Sequence, residues 1–314
     1  MKKEISIVIP IYNEQDNIAK LYERLVASIT NFTKVYELIF INDGSTDNSF
    51  LELLKLSEIN DKVYYINFSR NFGHQIAVSA GLNMCRGKCT VIIDGDLQDP
   101  PEIIPQLYSE YKKGFDVVYA KRKKREGETF LKKITSKLFY RILKRITPFE
   151  IPIDTGDFRL LDRKVVLALN KMSEQNKFLR GQIAWLGFKQ THVLFNRNSR
   201  KHGKSGYSYG KMFRLAIDAV TSFSDRPLAF VTRIGFLISF LSFLVILFAI
   251  FSHFVLKQTI TGWTSLIISS MFIGGIQLLS IGIIGEYISR INNNVKNRPL
   301  YIIENTNIRL DDSE

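Results

Sequence analysis

Residues 90–101 read Thr90-Val-Ile-Ile-Asp94-Gly95-Asp96-Leu97-Gln98-Asp99-Pro-Pro101. A short apolar, β-branched run ends abruptly in acidic and turn-forming residues, the pattern of a buried strand that stops at a polar rim. Two carboxylates two positions apart on a strand would point to opposite faces. Just past the strand, a turn at Gly95 can bring Asp94 and Asp96 together. Alone they repel; a hard divalent cation relieves that repulsion, takes oxygen ligands and keeps positions open for phosphate oxygens. An Asp-x-Asp also fits an ordinary Asp-Gly turn. Its position after a hydrophobic strand, with Gln98 to Pro101 following, favours the site.

Upstream and downstream, the first 120 residues alternate between two periods. Ile5–Ile11, Glu37–Ile41, Val63–Phe68, Thr90–Ile93 and Asp116–Ala120 read as buried strands, with helical stretches near 15–30, 46–58, 74–84 and 101–112. Such alternation predicts an α/β, Rossmann-like domain with a mostly parallel sheet and helices on both faces. Ligands bind such sheets beyond the carboxyl ends of the strands. The polar residues obey that rule: Pro10 to Glu14, Asn42 to Ser45, Ser69 to Gly73 and Asp94 to Asp99 each follow a strand. No GxGxxG follows the first strand and no GxxxxGK[ST] occurs, so the backbone phosphate cradles of dinucleotide and P-loop folds are missing.

The whole chain carries a net +13 at a mean hydropathy of zero, and both averages conceal an uneven distribution. Residues 234–256 and 258–285 contain no Lys, Arg, Asp or Glu. Phe236–Val255 and Trp263–Ile284 each meet the roughly 20 apolar residues that a spanning helix needs, and neither shows the polar stripe of a core helix. Met1-Lys-Lys-Glu leads into a strand-like run and does not read as a signal peptide. Lys257 alone lies between the spans, whereas Arg226, Arg233, Arg290, Lys296 and Arg298 flank them. The positive-inside rule then predicts a multi-pass protein of the cell membrane, with the catalytic domain and the C-terminus cytoplasmic. The expected division is a catalytic domain over 1–229, two transmembrane helices within 230–290 (about 234–256 and 263–287) and a cytoplasmic tail over 291–314. A two-helix anchor leaves bare faces that a homo-oligomer could bury. Forty-six per cent hydrophobic residues exclude a disordered chain, and two cysteines, Cys85 and Cys89, exclude a disulfide scaffold.

Charge is concentrated too. Residues 121–145 and 175–217 each carry a net +9, so the remainder is slightly acidic. Residues 130–146 place Ile134, Leu138, Ile142 and Ile146 at four-residue spacing, with Lys and Arg on the other face. A basic amphipathic helix reads as lying on an anionic membrane surface, although it also fits a helix packed on its own domain. Residues 207–225 repeat the theme. Nucleic acid is the other partner a basic chain suggests; charge on amphipathic helices beside spans, with no nucleic-acid motif, argues against it.

Five motifs in order, IVIPIYNE (7–14), IFINDGSTD (39–47), SRNFGHQIAVSAGL (69–82), DGDLQDPPE (94–102) and DTGDFRLLD (154–162), resemble family 2 glycosyltransferases of GT-A fold. Within them the chain resembles polyprenyl-phosphate glycosyltransferases, such as the bactoprenol glucosyltransferases and, more distantly, dolichyl-phosphate mannose synthases. The resemblance spans nearly the whole chain. It implies inverting transfer of a hexose from a nucleotide sugar, with UDP-glucose the first choice and UDP-GlcNAc or GDP-mannose the alternatives, to undecaprenyl or another polyprenyl phosphate. A flippase and a downstream membrane glycosyltransferase would be further partners. A processive polysaccharide synthase is a less favoured reading, because Gln182-Ile-Ala-Trp185 lacks the Arg of a Gln-x-x-Arg-Trp helix.

By the same likeness, Pro10, Tyr12, Asn13, Glu14 and Asp43 hold base and ribose, with Arg70, Asn71 and Gly73 lining the pocket. Asp96 and Asp94 ligate Mg2+ or Mn2+ on the diphosphate, Asp94 also meeting the sugar or ribose, and Gln98 supports that shell. Asp157 matches a third acidic, catalytic position. A phosphate acceptor is already anionic, so Asp157 is expected to orient sugar or acceptor, or to take a residual proton. Arg200, Lys204 and Arg122 are the candidates for acceptor phosphate or diphosphate. His74 and His202 read as plain polar contacts rather than metal ligands.

Overall fold

The computed structural model describes residues 3–123, 155–196, 226–254 and 262–309. Five strands fall where the sequence predicts them, within two residues at each end. They are β1 (Ile5–Ile11), β2 (Tyr36–Asn42), β3 (Val63–Phe68), β4 (Cys89–Ile92) and β5 (Val117–Arg122). Three more were not anticipated as strands: β6 (Thr155–Asp162), β7 (Gln190–Phe195) and β8 (Ile303–Thr306). All eight form one sheet in the order β7-β5-β6-β4-β1-β2-β3-β8. β1 runs parallel to β2 and β4, β2 to β3, and β5 to β7. β6 is antiparallel to β4 and β5, and β8 is antiparallel to β3, which makes the sheet mixed.

Alternation along the strands builds two apolar layers. Ile5, Ile7, Ile9 and Ile11 of β1 enter one, with Leu38 and Phe40 of β2; Val8, Ile39 and Ile41 enter the other. The first layer is covered by α1 (Gln15–Thr30), α2 (Ser49–Ile59) and α4 (Ile104–Lys112), through residues such as Leu21, Leu25, Leu53 and Leu107. The second is covered by α3 (His74–Met84), α5 (Arg163–Asn170) and α6 (Leu179–Trp185), through Ala77, Val78, Val166, Leu179 and Ile183. Each of these side chains is under 5% exposed. Fully burying one Leu or Val contributes about 1.5–3 kcal/mol, so the layers fix where the strand ends lie.

Two long helices follow, α7 (Arg226–Phe254) and α8 (Trp263–Val295). They cover most of the two expected spans but begin earlier and end later, respectively. Among the described residues, one helical stretch, Phe272–Val295, is long and apolar enough to cross a membrane, and Leu228–Ile238 is a shorter apolar one. The expected pair of spans is thus matched by one qualifying stretch. Residues 291–314 are not simply a tail. α8 runs on to Val295, and β8 returns to the catalytic sheet. The interface helices expected at 130–146 and 207–225 lie outside the described residues.

Candidate active site

β1 to β4 point their carboxyl ends to one rim, and hydrogen bonds stitch the loops there into a continuous surface. After β1, Asn13 adopts a left-handed conformation (φ 56°), and its Oδ1 accepts from the Thr46 N–H (2.8 Å). Its own N–H donates to Ser45 Oγ (3.0 Å), and the Glu14 N–H donates to Ser49 Oγ (2.9 Å). Glu14 Oε2 accepts from Asn17 Nδ2 at 2.5 Å. Pro10 ends inside the sheet, while Tyr12 stands out at 48% exposed.

Asp43 joins the second loop to the third. Its carboxylate accepts from the N–H groups of Phe72 (2.7 Å) and Gly73 (3.0 Å), and its carbonyl accepts from Asn71 Nδ2 (3.0 Å). Burial pushes the carboxyl up against the lowering effect of those N–H groups. A role at the ribose or base was expected of Asp43; the structure shows it holding the Arg70–Gly73 loop. Gly44 is required where the loops cross: at φ +63° its Cβ would lie 2.4 Å from the carbonyl carbon of Arg70. Arg70 itself is exposed and packs on the Phe72 ring at 4.1 Å.

Beyond β4 the chain turns at Gly95, which is packed so closely that an added Cβ would sit 2.6 Å from Ile11 Cδ1. Asp94 and Asp96 flank that turn, both half-buried. Asp96 Oδ1 accepts from the backbone N–H of Gln98 (3.1 Å), with Leu97 left-handed between them (φ 58°). Gln98 thus braces Asp96 through its main chain. Ile92 pairs with Arg159 in the antiparallel register. Continuing that register two residues brings Asp157, near the start of β6, level with Asp94.

Asp157 is the hub of the site, 7% exposed. Its Oδ2 meets His74 Nε2 (3.2 Å) and accepts from Gln75 Nε2 (3.1 Å). Arg180 donates Nε to Oδ1 (2.8 Å) and Nη2 to Oδ2 (3.3 Å), and Arg159 Nη2 lies 3.8 Å from Oδ1. Burial alone would raise this carboxyl; the charge of Arg180 and the bond to His74 outweigh it and hold the group well below the usual carboxylate range. His74 Nε2 is also 3.6 Å from Asp94 Oδ1. Burial works against its charged form, yet the Asp157 hydrogen bond and the Asp94 charge raise it to about 9. His74 is therefore far more than a plain polar contact: it links the two acidic positions.

Asp157 and Asp94 meet through His74, and Asp96 lies two residues past Asp94 on the same turn. Arg122, expected at a phosphate, sits at the end of β5 near buried Asp99; both lie within 4 Å of a Cβ built on Gly156. Arg200 and Lys204 lie outside the described residues. Sequence reading missed His74, Gln75, Arg180 and Arg159 as partners of Asp157. One signal was available: His74 and Gln75 open α3 directly after the third strand's polar end. No group of three or more His, Cys, Asp or Glu that could hold a metal occurs among the described residues. The candidate donors reduce to the Asp94–Asp96 pair, both hard oxygen ligands.

The sequence profile of Glycosyl transferase family 2 matches residues 6–169. The uncharacterized glycosyltransferase YkcC of Bacillus subtilis is 47% identical over 301 residues, 96% of this chain and 93% of that protein. The bactoprenol glucosyl transferase of Shigella phage SfII is 38% identical over 305 residues, 96% of this chain and 97% of that protein. In fold, the chain is similar to glucosyl-3-phosphoglycerate synthase from Mycobacterium tuberculosis, solved with Mn2+, uridine diphosphate and glucosyl-3-phosphoglycerate. That likeness has a TM-score of 0.50 at 19% identity, over 70% of this chain and 79% of the other.

Proposed function

The chain belongs to glycosyltransferase family 2, with a GT-A-like mixed sheet, and from that premise we propose that it transfers glucose from UDP-glucose to a polyprenyl phosphate at the cytoplasmic membrane face. One observation carries this reading. Three carboxylates, Asp94, Asp96 and Asp157, share one rim in a chain that matches a bactoprenol glucosyl transferase over nearly its full length.

The donor would lie across the stitched loops, with Pro10, Tyr12, Asn13 and Glu14 toward the nucleoside and the Arg70–Gly73 loop, braced by Asp43, closing the pocket. Asp94 and Asp96 fit a hard divalent cation, Mg2+ or Mn2+, because such ions are often held by one or two carboxylates plus substrate phosphates. Bound there, the ion would neutralise the leaving nucleoside diphosphate. The reaction is a single in-line displacement with inversion: the bond from the anomeric carbon to the diphosphate oxygen breaks as a bond to an acceptor phosphate oxygen forms. A phosphate monoester loses its second proton near pH 6, so the nucleophile needs no strong base. That agrees with Asp157, whose carboxyl is held well below the usual range and is therefore a poor proton acceptor. α7 and α8 would anchor the enzyme as a two-helix membrane hairpin, with both chain ends cytoplasmic.

A donor panel tests the reading. Purified enzyme with a short polyprenyl phosphate is offered UDP-glucose, UDP-GlcNAc, UDP-galactose and GDP-mannose, and lipid products are weighed by mass spectrometry. A polyprenyl-phosphate hexose from UDP-glucose is expected. A product from another donor alone changes the sugar; none from any donor overturns the acceptor.

A further inference from the structure

The chain leaving α8 is held to the catalytic domain on two sides. On one, the Gln175 N–H donates to Asn294 Oδ1 (3.1 Å) and Gln175 Nε2 donates to the Arg298 carbonyl (3.0 Å). On the other, Tyr301 stacks on Phe68 with ring centres 5.1 Å apart, and its hydroxyl accepts from Asn83 Nδ2 (3.3 Å). Asn297, left-handed at φ 44°, turns the chain between these contacts. The stretch with the length and apolarity to cross a membrane, Phe272–Val295, runs into this joint. Lys296 and Arg298 follow it at once, both exposed. Cations just past a spanning stretch belong at headgroup level, so in the hairpin reading the joint marks the membrane surface.

Gln175 sits in the loop 171–178 that joins α5 to α6, and this loop is itself tied down. Lys177 Nζ donates to the Met172 carbonyl, and Gln182 Nε2 donates to Glu174 Oε2 (3.0 Å). Buried Leu179 and Ile183 seat α6 on the second apolar layer. Gln175 precedes Arg180, which donates to Asp157 (2.8 Å), by five residues. Five residues reach at most about 18 Å even when fully extended. One short, fixed loop therefore touches the end of the membrane helix at Gln175 and the hub of the site at Arg180. That matters only for an acceptor held in lipid. The phosphate of such an acceptor stays at headgroup level while its tail stays in hydrocarbon, so the site must come to it at a set height and tilt. An acceptor dissolved in water makes no such demand.

We propose that Gln175 is a positioning residue: by clasping the end of α8 it fixes the height and tilt of the active site over the membrane, so that a lipid-borne phosphate can reach it. This rests on the polyprenyl-phosphate reading above and on α8 as a membrane span. Wild type, Gln175→Ala and Asn294→Ala are reconstituted in vesicles of phosphatidylethanolamine and phosphatidylglycerol and supplied with UDP-glucose. For each, kcat/KM is measured with undecaprenyl phosphate embedded in the vesicles and with water-soluble geranyl phosphate. Loss of the clasp in Gln175→Ala should lower kcat/KM for the embedded acceptor at least about fivefold, while the value for geranyl phosphate and the donor KM stay within about twofold. Asn294→Ala removes one of the two hydrogen bonds and should shift the embedded-to-soluble ratio in the same direction by less. A merely structural role would lower both acceptors alike. Such an equal loss, or an unchanged ratio in Gln175→Ala, overturns the assignment. Should Gln175→Ala fail to fold, Asn294→Ala decides by the same ratio. Wild type that uses geranyl phosphate and not the embedded acceptor also overturns it, whereas wild type that glycosylates neither overturns the substrate reading beneath it.

Discussion

Asp96 occupies the position where a small change should have the greatest chemical effect. It lies just past the Gly95 turn and is braced by the Gln98 N–H at 3.1 Å. The side chain is half-buried and packs no core. Asp96→Ala should therefore leave stability nearly unchanged. Charge stabilisation at a leaving group is worth about a hundredfold to a thousandfold per contact, so kcat should fall at least about a hundredfold. Excess EDTA should match that loss, and added Mg2+ or Mn2+ should reverse it. Near-full activity in EDTA, or in Asp96→Ala, would remove the metal from the mechanism. At this scale the carboxylates themselves were legible, because each follows a strand or sits in a recognisable motif. Their partners were not. Arg180 and His74 lie 23 and 83 residues from Asp157 along the chain, and only the antiparallel register of β6 beside β4 makes them neighbours. Asp43 shows the opposite limit. Its position was readable, but nothing local in Asn42-Asp43-Gly44 says that two N–H groups from the third loop would occupy its carboxylate.

Elements with a strong period were readable from the sequence, and those defined by distant pairing were not. β1 and β3 match their expected bounds residue for residue, because continuous apolar runs between polar loops have one reading. β8 is four residues, Ile-Glu-Asn-Thr, and has no period to detect. It forms because β3 offers an open edge. The Ser69 N–H donates to the Ile302 carbonyl (3.1 Å), Asn307 Oδ1 accepts from the Tyr65 N–H (2.8 Å), and Tyr301 stacks on Phe68 with ring centres 5.1 Å apart. From β8 a chain of side chains runs back to the donor loop. Asn67 Nδ2 donates to Glu304 Oε2 (3.0 Å), Asn42 Nδ2 donates to Asn67 Oδ1 (2.7 Å), and Asn42 Oδ1 accepts from the Ser45 N–H (3.3 Å). Asn67 and Asn42 are buried, while Glu304 is exposed. Leaving a buried partner unsatisfied costs about 1–3 kcal/mol. Asn67→Ala should destabilise the enzyme by that amount, and Glu304→Ala by clearly less, in urea unfolding of the detergent-solubilised protein. Equal effects would mean that the exposed end, not the buried link, carries the chain.

Two bilayer-length apolar segments explain a neutral average hydropathy at 23% charged residues, and the sheet adds a constraint that composition cannot give. Residues 3–196 precede α7, and β8 follows α8, yet β8 pairs with β3 in the same sheet. Both ends of the two-helix segment therefore return to one domain on one side of any membrane, so the number of crossings is even. α8 contains the stretch with the length and apolarity to cross. If it crosses, a second crossing must accompany it, and among the described residues α7 is the helix best placed to make it. α7 spans 29 residues and leaves Phe236, Leu237, Phe240 and Phe248 between 57% and 74% exposed, the side chains of a helix that needs a lipid neighbour. We expect Lys257 outside and residues near the C-terminus inside. Cysteine labelling checks this on a quiet background. Cys85 and Cys89 are at most 1% exposed, and burial pushes both thiols up, Cys85 to about 11, so neither forms a reactive thiolate at neutral pH. In intact cells an impermeant maleimide should label Lys257→Cys and leave Ser313→Cys untouched until the cells are opened. Labelling of both before opening would show that α8 does not separate the two positions, and labelling of Ser313→Cys alone would invert the hairpin; either outcome overturns the expected topology.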